Sequence, residues 1–177
     1  MATVWVALLR GINLGGRNRV PMGELREVFE QAGCGDVRTY IQSGNVVFTS
    51  RRRSREALAR LLERAVEDAF GVVAPVVLRT SDELAAVAGS HPFGKDTSHS
   101  YVSFLAADPD SAGARRLAAI AGEDELSVVG RDVFLRYPNG FQGAQLTGPL
   151  LERHLGVAGT VRNWRTVMKL AELAAES

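Results

Sequence analysis

Cysteine is nearly missing from this chain: Cys34 stands alone, which excludes an internal disulfide framework and any cysteine-rich zinc site. No apolar run approaches the roughly 20 residues of a membrane-spanning helix. The opening Met1-Ala2-Thr3-Val4-Trp5-Val6 has neither a basic n-region nor a small-residue cleavage site, so no secretory signal is expected. His91, His99 and His154 lack metal-ligand spacing and are expected in surface or loop positions. These absences predict a cytoplasmic protein with no metal, no cofactor and no membrane contact. Against them stands a hydrophobic content of 46% over 177 residues, enough for one compact domain or two small ones and too much for a disordered chain.

Lysine is scarce too. Only Lys95 and Lys169 accompany 19 arginines, an excess that GC-rich coding explains. Coding bias does not explain where the charges fall. Residues 1–64 carry 11 basic and 6 acidic side chains, residues 65–152 carry 6 and 12, and residues 153–177 carry 4 and 2. Three windows hold no acid at all: 1–23, 37–55 and 153–171. Each is rich in Arg, Asn, Gln, Ser, Thr and Gly, groups able to donate hydrogen bonds to an anion.

Hydrophobic periodicity gives the elements. Val4 to Leu9 is a continuous apolar run, as in a strand buried on both faces. A glycine-, asparagine- and arginine-rich loop spans Gly11 to Val20, and Pro21 then opens a helix that Gly33 ends. Val37 to Ile41 and Val46 to Thr49 read as strands joined by Gln42-Ser43-Gly44-Asn45, where Gly and Asn tolerate positive φ. A long helix runs through Ala57, Leu61, Leu62 and Val66 to Gly71, and Val72 to Leu78 reads as another strand. The order is β-α-β-β-α-β, a ferredoxin-like unit. After a short helix capped by Ser81, the second half repeats the plan. It has a strand over Tyr101 to Ala106, a helix over Ala112 to Ala121 and a hairpin turning at Gly130-Arg131-Asp132. A helix over Leu150 to Leu155, a weak strand at Val157 to Val161 and a final amphipathic helix over Asn163 to Ala175 follow. The expected fold class is therefore α+β: two tandem ferredoxin-like units packed together, residues 1–80 and 81–177, the second followed by a C-terminal helix.

Topology then directs attention to one end of the first sheet. In such a unit the loop leaving the first strand and the hairpin joining the next two emerge at the same end, beside a helix N-terminus with unpaired N–H groups. Arg10, Asn13, Gly15, Gly16, Arg17 and Asn18 come from the loop, and Gln42, Ser43 and Asn45 from the hairpin. A composite anion-attracting site is expected there; the bland alternative is a pair of tight turns that need Gly and Asn. Gly11-x4-Gly16-Arg17-Asn18 has P-loop glycine spacing but lacks the Lys and the Ser/Thr, and the glycines do not match the dinucleotide fingerprint.

Catalytic constellations are thin. Cys34 reads as a packing residue, and Ser43 has no local base on a strand-turn-strand tip. The acidic groups Glu67-Asp68, Asp82-Glu83 and Glu123-Asp124-Glu125 read as solvated helix faces or turns. For nucleic acid, Trp5 and Phe48 lie on the strands that an RNA-recognition sheet would use, and Arg51-Arg52-Arg53-Ser54-Arg55 is a candidate phosphate contact. Neither strand matches the RNA-binding pattern, and the net charge of +1 fails the basic-domain criterion.

The block Ala7-Leu8-Leu9-Arg10-Gly11-Ile12-Asn13-Leu14-Gly15-Gly16-Arg17-Asn18-Arg19-Val20-Pro21-Met22 and the run Thr39-Tyr40-Ile41-Gln42-Ser43-Gly44-Asn45-Val46-Val47-Phe48 resemble the bacterial domain of unknown function 1697 family. The tail Gly159-Thr160-Val161-Arg162-Asn163-Trp164-Arg165-Thr166-Val167-Met168-Lys169-Leu170 looks like that family's closing motif. The resemblance implies a two-unit α+β fold and supplies no activity. Arg17 and Arg19 depart from it, since similar proteins often carry lysine there, and Cys34 stands where an apolar residue is usual. The distinctive segments coincide with the acid-free windows, so Arg162, Asn163 and Lys169 join the candidate site if the tail folds back beside the first sheet. Asn163 has a second reading as a helix N-cap. The expected function is binding of a small phosphorylated or carboxylated ligand, with catalysis left open. RNA or DNA binding is the first alternative and a protein-interaction module the second.

Overall fold

A computed structural model describes residues 1–177. The chain runs β1 (Thr3–Leu9), α1 (Met22–Gln31), β2 (Gly35–Tyr40), β3 (Asn45–Ser50), α2 (Arg55–Phe70) and β4 (Val76–Thr80). It continues α3 (Ser81–Ala88), β5 (Ser100–Leu105), α4 (Gly113–Ile120), β6 (Glu125–Val129), β7 (Asp132–Arg136), α5 (Gly148–Leu155), β8 (Gly159–Asn163) and α6 (Trp164–Ala175). These strands form two four-stranded antiparallel sheets of order β2-β3-β1-β4 and β6-β7-β5-β8. One compact unit comprises Met1–Ala86 with Lys169–Ser177, the other Val87–Met168. No helix is long and apolar enough to cross a membrane.

In the first unit Trp5, Ala7 and Leu9 alternate onto one face of β1 and join Leu25 and Phe29 of α1 and Leu58, Leu62 and Val66 of α2. Phe29 meets Phe48 edge-on at 5.3 Å between ring centroids. Burial of each leucine, valine or phenylalanine side chain here contributes roughly 2 kcal/mol. The alternate residues Val6, Leu8, Val47 and Val77 are buried as well, so β1 is covered on both faces. Helix α2 is capped by Ser54 Oγ, which accepts from Ala57 N, and ends at Gly71 in the left-handed conformation (φ 67°). In the second unit Leu105, Val133, Leu135 and Tyr137 pack with Leu117, Leu151 and Leu155.

Local details depart from the sequence expectations. The segment after α2 enters the sheet only at Val76, not Val72. Pro75 has no N–H to give and its carbonyl accepts from Arg10 N, while Val76 N donates to Glu63 Oε1. Thr80, not Ser81, caps α3: Thr80 Oγ1 accepts from Glu83 N, and Glu83 Oε2 accepts from Thr80 N, a reciprocal capping box. The other oxygen of Glu83 accepts from Arg55 at 2.6 Å, so this half-exposed carboxylate is a structural partner as well. Asp124, by contrast, is buried, and its Oδ2 accepts from the backbone N–H groups of Gln145 and Leu146. Pro21 occupies the N-cap position of α1 with extended backbone instead of the first helical turn.

Candidate functional site

The end of β1 is gripped from both sides. Leu9 N donates to the carbonyl of Gly44 in the β2–β3 hairpin, and Arg10 N to that of Pro75. Beyond that point the chain coils tightly, with positive φ at Gly11, Asn13, Gly15, Gly16 and Asn18. Arg17 N donates to Leu14 O across Gly15 and Gly16, both left-handed, which makes a type I′ turn. Asn13 N donates to Asn18 O, closing a small loop at whose tip the two glycines stand.

Asparagine side chains hold this loop. Asn13 Oδ1 accepts from Val20 N at 2.7 Å, and its Nδ2 donates both to Val20 O at 2.9 Å and to Gln42 O at 2.7 Å. That last bond ties the loop to the hairpin. Asn18 Nδ2 donates to Gly11 O at 2.9 Å. Asn45 is fully buried and donates to Tyr40 O and Ser43 Oγ, closing the hairpin from inside. The positive φ values of the hairpin fall at Ile41 (48°) and Gly44 (83°), not at Asn45 as the sequence suggested. A Cβ on Gly44 would stand 2.9 Å from Leu9 Cβ and 2.7 Å from Ile12 Cδ1, so the close approach of β1 demands glycine there. Ile41 is β-branched and left-handed, a conformation that costs on the order of 1–2 kcal/mol.

The residues named from sequence therefore divide by task. Asn13, Asn18 and Asn45 spend side-chain donors on backbone carbonyls or Ser43. Gly15, Gly16 and Arg17 are exposed, as is Arg19, and no hydrogen bond or ion pair occupies the side chains of Arg17 and Arg19. Arg10 is half-buried at the base of the loop, Gln42 is exposed and Ser43 half-buried. Helix α1 begins beside this loop, and its first-turn N–H groups have no acceptor within the helix.

The tail residues have assignments of their own. Arg162 and Asn163 belong to the second compact unit. Arg162 is buried and donates to Thr160 Oγ1 and Val161 O; burial pulls its pKa down. Asn163 Oδ1 accepts from Thr166 N at 2.9 Å, the N-cap arrangement of α6. Lys169 pairs with Glu172 on the same helix.

Other candidates are occupied or shielded. Burial pushes the Cys34 thiol up to about 11, against a smaller downward pull from Arg52, so it is no thiolate at neutral pH. Trp5 and Phe48 are 4% and 0% exposed, which leaves no aromatic platform for stacking bases. Arg55 lies over the Trp5 ring and donates to Leu78 O and Glu83, so it is a structural member of the arginine run. No group of three His, Cys, Asp or Glu side chains is arranged to hold a metal ion.

No curated protein matches the sequence. Among solved structures, the conserved bacterial protein SP0830 from Streptococcus pneumoniae matches with a TM-score of 0.78 at 24% identity. The match covers 98% of this chain and 99% of that one, and at this identity it is a likeness of fold. The signature loop and hairpin lie inside residues 2–134, which match the family model for a protein of unknown function, DUF1697, and the chain belongs to that family.

Proposed function

We propose that the loop end of the first sheet binds a small anionic ligand, phosphorylated or carboxylated. One observation carries this reading: the Asn13–Gln42 bond brings the loop and the hairpin together while Arg17, Arg19 and the Gly15-Gly16 tip stay exposed and unpaired. The loop is built rigid before any ligand arrives, and a pre-organised site loses less entropy on binding. Glycine backbone admits close approach of an anion, and guanidinium groups match carboxylate and phosphate geometry. In this proposal Asn13, Asn18 and Asn45 position the loop, and Gly15, Gly16, Arg17, Ser43 and Gln42 contact the ligand with Arg10. Arg162, Asn163 and Lys169 are not required. We also read each sheet with its helices as a ferredoxin-like unit, which the two strand orders support.

The test is a thermal-shift panel with inorganic phosphate, pyrophosphate, nucleotides and dicarboxylates on wild type, Arg17→Ala and Arg10→Ala. A ligand that stabilises wild type and neither variant supports the site. Equal stabilisation of all three, or none with any anion, ends it. A response to RNA or DNA that falls steeply with salt would transfer the site to nucleic acid.

A further inference from the structure

A second constellation lies wholly in the other unit. His91 sits in the segment between α3 and β5, and Ser100 opens β5. His91 Nδ1 is 3.0 Å from the carbonyl oxygen of Gly94, and Nε2 is 2.7 Å from Ser100 Oγ. A carbonyl oxygen can only accept, so the ring proton belongs on Nδ1 and the Nε2 lone pair faces the serine hydroxyl. Phe93 and Trp164 fix the ring by edge contacts, with centroids 5.7 and 4.8 Å away. A hydroxyl donating to an imidazole whose far nitrogen is anchored is the arrangement of an activated nucleophile. Here a backbone carbonyl takes the orienting place that a carboxylate often fills.

The pair adjoins space for a substrate. Ser100 is only 2% exposed, yet it lines an open cleft of about 700 Å³ together with Thr97, Ser98, Tyr101, Asn163, Trp164 and Arg165. The last three stand at the start of α6, where Asn163 Oδ1 takes Thr166 N and the N–H groups of Trp164 and Arg165 have no acceptor within the helix, and the Arg165 side chain is exposed there. Donors on that side suit the oxygen that becomes negative in acyl transfer.

We propose that Ser100 and His91 form a catalytic dyad that hydrolyses a small carboxylic ester bearing a negative charge, with Arg165 holding the charged end. Ser100 Oγ adds to the acyl carbon as its proton passes to His91 Nε2. The adduct collapses, its bond to the alcohol oxygen breaks, and the alcohol leaves with that proton. Water then adds to the acyl-serine, giving a proton to His91. Release of the carboxylic acid returns the proton to Ser100 Oγ. Histidine serves as base and acid in turn, and nothing outside the ester and water is consumed.

The experiment uses the full chain with a fluorophosphonate probe and with p-nitrophenyl succinate. Mass spectrometry should find the probe on Ser100, at a rate about 100-fold lower in His91→Ala. Succinate ester turnover should vanish in Ser100→Ala, while Arg165→Ala should raise KM more than it lowers kcat. Ser100→Cys guards against a folding artefact: iodoacetamide should modify position 100 faster in that variant than in Ser100→Cys with His91→Ala. No probe on Ser100 in wild type, or labelling indifferent to His91, overturns the dyad. Either failure leaves the anion site of the first unit untouched, since no residue is shared.

Discussion

The two units make the same join after their first strand and dress it with opposite charge. In the first, Leu9 N donates to Gly44 O of the facing hairpin and Arg10 N to Pro75 O; in the second, Leu105 N donates to Arg131 O and Ala106 N to Ala158 O. The frame is the same, but the loops are not. The loop after β1 carries Arg10, Arg17 and Arg19 with no acid, and the Asn13 side chain holds it to its hairpin. The loop after β5 carries Asp108 and Asp110, which engage Arg131 of its hairpin and Arg116 of α4. In the second unit the cations at this position are neutralised by carboxylates; in the first, two arginines face solvent without partners. Turn formation alone requires no arginine in the first loop, and this contrast in charge is what the proposed anion site rests on.

Four experiments sharpen or break that contrast. The largest effect is expected from the hairpin glycines. Gly44→Ala combines a left-handed backbone with a Cβ forced against Leu9 and Ile12 and should cost about 3 kcal/mol in denaturant unfolding. Gly130→Ala shares the positive φ but meets nothing within 4 Å, so about 1 kcal/mol is expected. Equal losses would refute the claim that contact with Leu9 and Ile12, beyond the left-handed backbone, demands glycine at position 44. Next, Asn13→Ala removes three hydrogen bonds and strands the buried N–H of Val20, a loss of about 2 kcal/mol that should also abolish any anion-induced thermal shift.

The helix caps differ in pH response. Burial pushes the Glu83 carboxyl up, but hydrogen bonds from Arg55 and Thr80 outweigh it and hold the pKa below its ordinary 4.5. Glu83 therefore contributes stability above that value, and the contribution fades as pH falls through its lower folded pKa. The stability gap between wild type and Glu83→Gln should close on acidification. A Thr166 cap made by uncharged Asn163 should show no such loss in Asn163→Ser. The smallest effect belongs to Asp108→Asn. Its exposed pair with Arg131 contributes about 0.5 kcal/mol or less, but the substitution should leave the second loop better able to retain phosphate at low salt. A large stability change there would mean the acidic loop is structural in the way the asparagine loop is.

Much of the frame was legible because period and punctuation agree. The apolar run of β1, the glycine stops of α1 and α2, and the paired short strands all lie where hydrophobic spacing puts them. The neighbourhood of loop and hairpin followed from topology alone. What escaped was decided by particular side chains reaching backbone. Thr80 outcompeted Ser81 as a cap because Glu83 sits three residues after Thr80, completing the box. Asn45 could be named as a turn residue but not as a buried clamp, because an amide that faces inward has no distinct sequence pattern. Asp124 looked like one member of a solvated acidic run, and only folding brings Gln145 and Leu146 N–H groups to it. His91 and Ser100 are nine residues apart across a segment without periodicity, so no spacing argument could pair them.

The division of α6 between units has a consequence for how the molecule comes into being. Trp164–Met168 belong with the second unit and Lys169–Ser177 with the first, where Arg38 donates to Leu173 O and Ser177 Oγ and pairs with Glu176. During translation, strands and helices up to Ala86 emerge more than eighty residues before the segment that completes their unit. Such long sequence separations slow folding and prolong exposure of unfinished surface. The nascent first unit must therefore wait, incomplete, for the ribosome to finish its neighbour.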